Sequence, residues 1–164
     1  MTSVLTRAVV DLIETANAAR RLRRVAPEAE AQLDSLFRTT ERLAVYGSLA
    51  PGRQNHHIVA PLAGRWTEGI VEGDLVTYGW GAALGYPALY PRAGGPAVPV
   101  HLLTSDALRH AWDQLDAFEG AEYLRVLVTV RARAPTGERT LLTVANLYEA
   151  ALPLDSPLDF GSAG

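Results

Sequence analysis

The run Leu43-Ala44-Val45-Tyr46-Gly47-Ser48-Leu49 opens the glycine- and aromatic-containing part of this 164-residue chain. Its apolar first half reads as a short buried strand running into a glycine turn. A chain that leaves a strand through glycine can present successive backbone N–H groups as a concavity for a carboxylate or a developing oxyanion, with no charged side chain needed. On the N-terminal side, from Val4 to Phe37, the pattern is helical: Leu5, Val9, Leu12 and Ile13, then Leu22, Val25, Leu33, Leu36 and Phe37, recur among charged residues. Pro27 should start a second helix, because proline is tolerated in a first turn and breaks an interior one. The composition changes at Glu41, so residues 1–40 are expected to form an N-terminal helical extension and 41–150 a separate domain. The tail over 151–164, rich in Pro, Ser, Asp and Gly, is expected to be loose.

Beyond the glycine turn, strand-like runs occur at Arg65–Thr67, Gly69–Tyr78, Ala97–Leu103, Leu124–Arg133 and Leu141–Glu149, with Thr136-Gly137-Glu138 as a hairpin between the last two. Such separate runs favour a sheet closed or strongly curved around one core. One helix stands among them. Thr104 or Ser105 can cap it, and Leu108, Ala111, Trp112, Leu115 and Phe118 share a face. Stepping about 100° per residue from Leu108 brings residue 119 to about 20°, inside that apolar stripe. Glu119 therefore stands where an apolar residue is expected, and Gly120 follows as a C-terminal cap. A carboxylate there is either paired with Arg125 or Arg42, frayed into water, or desolvated so that its pKa approaches the working range of a general base.

Composition removes several chemistries. All 15 basic residues are Arg and none is Lys, which excludes a P-loop lysine, a Schiff-base lysine and a lysine base. The absence of Cys excludes disulfides, thiolate nucleophiles and cysteine-ligated zinc. Ser48 lacks the Gly-x-Ser-x-Gly spacing of a nucleophile elbow and an identifiable His-Asp arrangement. Adjacent His56 and His57 point in different directions and have no third ligand at metal spacing, so no metal and no cofactor are expected. Net charge is -3 and no basic groove accompanies Trp66, Trp80 or Trp112, which argues against nucleic acid and leaves the tryptophans as core or pocket wall. Arg20, Arg21, Arg23 and Arg24 read as a solvated helix face offset by Asp11, Glu14, Glu28 and Glu30. No run is apolar enough to cross a membrane and the first residues lack secretory features, so a cytoplasmic location is the default expectation.

Val45-Tyr46-Gly47-Ser48-Leu49, Pro51-Gly52, Asn55-His56, Gly85-Tyr86-Pro87-Ala88-Leu89 and Leu115-Asp116-Ala117-Phe118-Glu119-Gly120 with Tyr123 and Arg125 together resemble the γ-glutamylcyclotransferase family, in its AIG2-like or γ-glutamylamine cyclotransferase branch. The resemblance covers residues 42 to 150 and leaves the N-terminal helices outside. It implies an α+β fold, a compact mixed β-barrel flanked by helices, and cleavage of a γ-glutamyl amide by its own α-amino group to give 5-oxoproline and a free amine. Glu119 matches the family's catalytic glutamate, Tyr46, Gly47, Ser48 and Leu49 match its substrate loop, Tyr123 is a hydrogen-bonding wall, and Arg125 supports the site. Where relatives carry a strand reading roughly Val-x-Gly-Glu-Leu-Tyr, this chain has Val98-Pro99-Val100-His101-Leu102-Leu103, and proline there suggests an edge or irregular strand. Two alternatives share the barrel: a non-catalytic binding protein whose N-terminal helices dock a partner or form a homodimer, and a biosynthetic enzyme removing a γ-glutamyl cap from a larger metabolite. A cleft blocked by residues 1–40 would favour the first, and a wide mouth the second.

Overall fold

The computed structural model describes residues 5–133, 137 and 139–151. Helices α1 (Arg7–Arg21) and α2 (Pro27–Phe37) form as the periodicity indicates. Thr6 caps α1 by accepting from the Val9 N–H at 3.3 Å, and Pro27 opens α2, which ends at Arg38 in left-handed conformation. Six strands follow: β1 (Arg42–Val45), β2 (Arg65–Val76), β3 (Ala88–Pro91), β4 (Ala97–Thr104), β5 (Tyr123–Arg133) and β6 (Arg139–Ala150). The two runs expected at Arg65–Thr67 and Gly69–Tyr78 are one continuous strand. The hairpin turn expected at Thr136-Gly137-Glu138 lies, apart from Gly137, outside the described residues, as does the tail from residue 152.

Strands β2, β4, β1, β6 and β5 form a closed five-stranded ring, mixed because β1 runs parallel to β6 at Leu43↔Asn146 while the other pairs are antiparallel. The ring closes at Ile70↔Arg131. Gly69 permits that approach, since a Cβ there would stand 2.5 Å from Val130 Cγ1. Alternation along the strands sends Val98, Val100, Val126, Val128, Val130 and Leu147 into the barrel. On the outside, Leu43, Leu103, Tyr123 and Tyr148 pack with Trp112 and Leu115 of helix α4 (Trp112–Glu119). The remaining outer face, Leu127 and Val144, is covered by Val9 and Ala16 of α1 and Ala29 and Leu33 of α2.

The edge or irregular strand expected from Pro99 is found at that position alone: as a whole β4 lies between β2 and β1. Pro99 is tolerated because the four-residue β1 pairs only with His101–Thr104, so at Pro99 the strand has β2 as its one neighbour. The helix expected from Thr104 or Ser105 also differs. A 3₁₀ turn, Asp106–His110, capped by Ser105 Oγ accepting from the Ala107 N–H, precedes α4.

Beyond Gly69 the barrel has a seam. From Gly73 onward β2 pairs with β3 (Gly73↔Pro91 to Val76↔Ala88), leaving the first part of β5 without a strand on that side. Helix α1 supplies the missing partner through Asn17, whose Nδ2 donates to the Leu127 carbonyl and whose Oδ1 accepts from the Leu127 N–H, both at 2.8 Å. A buried side-chain amide thus stands in for a strand. Arg20 makes two bonds to Glu30 and reaches Asn146 Oδ1 at 2.8 Å, while Arg21 makes two bonds to the buried Glu149. These two arginines join α1 to the barrel and are more than the solvated face expected from the charge run, because Arg20 reaches Asn146 and Arg21 reaches Glu149, both on β6 at the far end of the chain.

Candidate active site

The cleft gathers the glycine turn after β1, the end of α4, the starts of β5 and the end of β6, and a short helix α3 (Trp80–Ala83) with the turn after it. It encloses about 430 Å³ including its mouth, and is lined by Tyr46, Gly47, Ser48, Leu49, Glu119 and Tyr123, all singled out in the sequence. No described residue of α1 or α2 lines it.

Glu119 ends α4 and is 8% exposed. Among the described residues its carboxylate has neither a hydrogen bond nor an ion pair. The pairing that a structural role would require is absent because both candidate cations are engaged elsewhere. Arg125 forks onto Asp116 (2.9 and 3.1 Å) and lies over the Trp112 ring, and Arg42 donates to Thr143 and Thr104. Burial, and secondarily the Asp116 carboxylate one turn back, push the Glu119 pKa up to about 7. The carbonyl end of the helix works in the same direction, since it disfavours an anion. The main chain of Glu119 is fixed: its carbonyl accepts from Trp80 Nε1 at 2.8 Å.

The loop is held from behind, so that its amides remain free. Asn55 Nδ2 donates to Ser48 Oγ at 3.0 Å, the Asn55 N–H to the Ser48 carbonyl at 2.8 Å, and His56 Nδ1 to the Leu49 carbonyl at 2.9 Å. Among the described residues, none of the N–H groups of Gly47, Ser48 and Leu49 donates to a protein acceptor. Three unpaired amides lining a cleft form a ready site for oxygen acceptors.

Of the four tyrosines in the cleft, Tyr46, Tyr123 and Tyr148 have a hydroxyl polarity fixed by a partner. Tyr46 Oη donates to the Tyr148 carbonyl (2.7 Å) and accepts from the Leu89 N–H (3.0 Å), tying β6 to β3; its hydroxyl is fully used, and burial pushes its pKa up. Tyr123 Oη accepts from the Gly81 N–H at 3.0 Å, which leaves its proton to donate. Tyr148 Oη donates to Asp116 Oδ1 at 2.5 Å, which leaves the oxygen able only to accept, and burial raises its pKa. Arg125 lies outside the cleft lining and reaches it only through Asp116 and Tyr148.

Ala44 and Val45 of β1, Tyr148, and the wall made by Trp80, Gly81, Tyr86 and Pro87 complete the lining and are not among the site residues expected from the sequence. Tyr86-Pro87 belonged to the motifs carrying the family resemblance, and Trp80 had been read as core or pocket wall; Tyr148 carried no local signal. The wall depends on Gly79, at φ 80° and ψ 176°, a conformation open essentially to glycine. A Cβ there would stand 2.6 Å from Tyr123 Oη. Gly79→Ala is expected to lower stability by about 2 kcal/mol and to shift Tyr123, read as a lower melting temperature together with a raised KM.

A family model, gamma-glutamyl cyclotransferase, AIG2-like, matches residues 43–157. The chain belongs to that family. Similar solved structures include an uncharacterized protein from Pyrococcus horikoshii (19% identity, 71% of this chain and 83% of that one, TM-score 0.47). YkqA from Bacillus subtilis (20% identity, 67% of this chain, TM-score 0.46) is similar too, and this chain covers 35% of its length. So is a protein from Arabidopsis thaliana (23% identity, 68% of this chain and 62% of that one, TM-score 0.46). No curated protein matches the sequence. Among the described residues, no helix is long and apolar enough to cross a membrane.

Proposed function

We propose that the chain cyclises a small γ-glutamyl amide, releasing 5-oxoproline and a free amine, with Glu119 as general acid and base. The observation that carries this reading is an unpaired, desolvated carboxylate in the same cleft as three unpaired backbone amides. The nucleophile and the carbonyl belong to one molecule, so the protein has only to fold the glutamyl group and move a proton. Glu119 takes a proton from the α-ammonium, and the freed amine attacks the γ-carbonyl carbon. Loop amides and the Tyr123 hydroxyl donate to the oxygen that becomes negative. Glu119 then returns its proton to the departing nitrogen as the old C–N bond breaks. The extra proton on the ring nitrogen passes to the freed amine, so the net charge is unchanged. Tyr148, an acceptor because Asp116 holds its proton, suits the α-ammonium.

The open cleft favours this reading over the non-catalytic alternative, since no described residue of α1 or α2 obstructs it. The test is 5-oxoproline release from a panel of γ-glutamyl amides and peptides; no release from any member would overturn the reading. For an active substrate, kcat/KM is expected to rise tenfold per pH unit below the Glu119 pKa and to level off above about pH 7. A profile flat from about pH 5 to 8 would remove Glu119 as the base.

A further inference from the structure

No described residue of α1 lines the cleft, yet this helix grips the strand that carries Tyr148 into it. Successive side chains of β6 point to opposite faces, so Asn146 shares the face of Tyr148 and Glu149 points the other way. Arg20 holds the first: its Nη1 donates to Asn146 Oδ1 at 2.8 Å, while its Nε and Nη2 fork onto Glu30 of α2. Arg21 holds the second, with Nε and Nη2 donating to the two Glu149 oxygens at 3.0 and 2.8 Å. Neighbouring arginines of one helix thus clamp β6 from both faces, on either side of Tyr148 in the chain.

The clamp also reaches the strand opposite. Arg20 Nη1 donates to the Arg125 carbonyl at 3.3 Å, and Arg125 is the residue paired with Tyr148 across β5 and β6. The Arg125 side chain in turn forks onto Asp116, which accepts the Tyr148 hydroxyl proton. The tyrosine is therefore held at its hydroxyl by α4 and along its main chain by α1, together with the Tyr46 bond to its carbonyl. Glu149 is 2% exposed, and Arg21 is its one hydrogen-bond partner among the described residues. The end of β6 cannot leave α1 without stranding a buried carboxylate, which fixes the strand more firmly than packing alone.

We propose that Arg20 and Arg21 are positioning residues for the cleft: acting through β6, they place Tyr148 where its oxygen accepts from the α-ammonium of the γ-glutamyl group. This rests on the cyclotransferase reading above and adds to it a role for the N-terminal extension, which stands outside the family-matched residues. The experiment measures KM and kcat in the full chain, below each variant's thermal transition, with the γ-glutamyl amide of the panel that is turned over fastest. Arg21→Met and, separately, Arg20→Met are expected to raise KM about tenfold while kcat stays within about threefold of the parent. Arg21→Lys, which keeps a cation against Glu149, should recover part of the change. KM does not depend on the folded fraction, so lost stability alone would leave it at the parent value. Asn17→Ala supplies that comparison, since it removes bonds from the same helix to Leu127 and should keep the parent KM. In a Tyr148→Phe background KM is already raised, and adding Arg21→Met should change it by less than about twofold. Should Arg21→Met fail to fold, Arg20→Met and Arg21→Lys carry the test. A parent KM in the arginine variants, with 5-oxoproline still released, overturns the inference and leaves the cyclotransferase reading intact. A full tenfold rise on top of Tyr148→Phe overturns it equally, because the effect would then not pass through Tyr148. No release from any γ-glutamyl amide by the parent chain overturns the cyclotransferase reading itself and the inference with it.

Discussion

Glu119→Gln is expected to reduce kcat by about 10³-fold, the usual scale for a general acid and base, while the protein stays folded. Gln keeps the shape and the 2.8 Å bond from Trp80 Nε1, which goes to the main-chain carbonyl, so the cleft wall should remain in place. The same variant has a second readout that a merely structural glutamate would not give. A buried carboxyl with a pKa of about 7 binds its proton more tightly folded than unfolded, where the reference value is 4.5. The contribution of Glu119 to stability is therefore greatest below about pH 4.5, falls as pH rises through the window to about pH 7, and is level above it. The gap between the two values corresponds to on the order of 3 kcal/mol. Glu119→Gln should be more stable than the parent by about that amount above pH 7 and equal to it below about pH 4.5, measured by denaturant unfolding across pH. A Gln variant that lost stability above pH 7 would mean that the carboxylate has a favourable partner, and the base assignment would fail.

Asn17→Ala is expected to lower stability by about 3 kcal/mol, with a drop in melting temperature on the order of 10 °C, and to leave turnover unchanged below the transition. The substitution removes both bonds to Leu127, stranding a buried N–H and a buried carbonyl on the seam side of β5, where β2 has already turned away to β3. Each stranded group costs about 1–3 kcal/mol. Asn17→Leu restores volume without the bonds and should recover little of the loss. A melting temperature within about 2 °C of the parent would show that another group satisfies the Leu127 edge.

Much of the candidate site was legible because its signals are local. Glu119 was marked by helical phase alone, a pattern that survives even though the first turn is 3₁₀ and the α-helix begins at Trp112. The loop was marked by glycine after an apolar strand. Tyr148 carried no such mark: it is one residue of a long alternating strand, and it enters the site only because β6 pairs with β5 so that Arg125 lies opposite it. The same register directs Arg125 to Asp116 and away from Glu119. Pro99 marked its own position as lacking a second neighbour, but proline reports a missing donor and not that β1 joins β4 two residues further on.

The sequence by itself determined the things that depend on one residue and its near neighbours. These are the two N-terminal helices, the turn that frees the loop amides, the apolar phase of Glu119, and the exclusion of lysine and thiol chemistry by composition. Tertiary structure alone decided the partners. It fixed which arginine pairs with which carboxylate, which way each tyrosine donates, and that Asn17 stands in for a strand at the barrel seam. The physical reason is that hydrophobic periodicity specifies which face of an element is buried, whereas a hydrogen-bond partner is set by strand register between residues tens of positions apart.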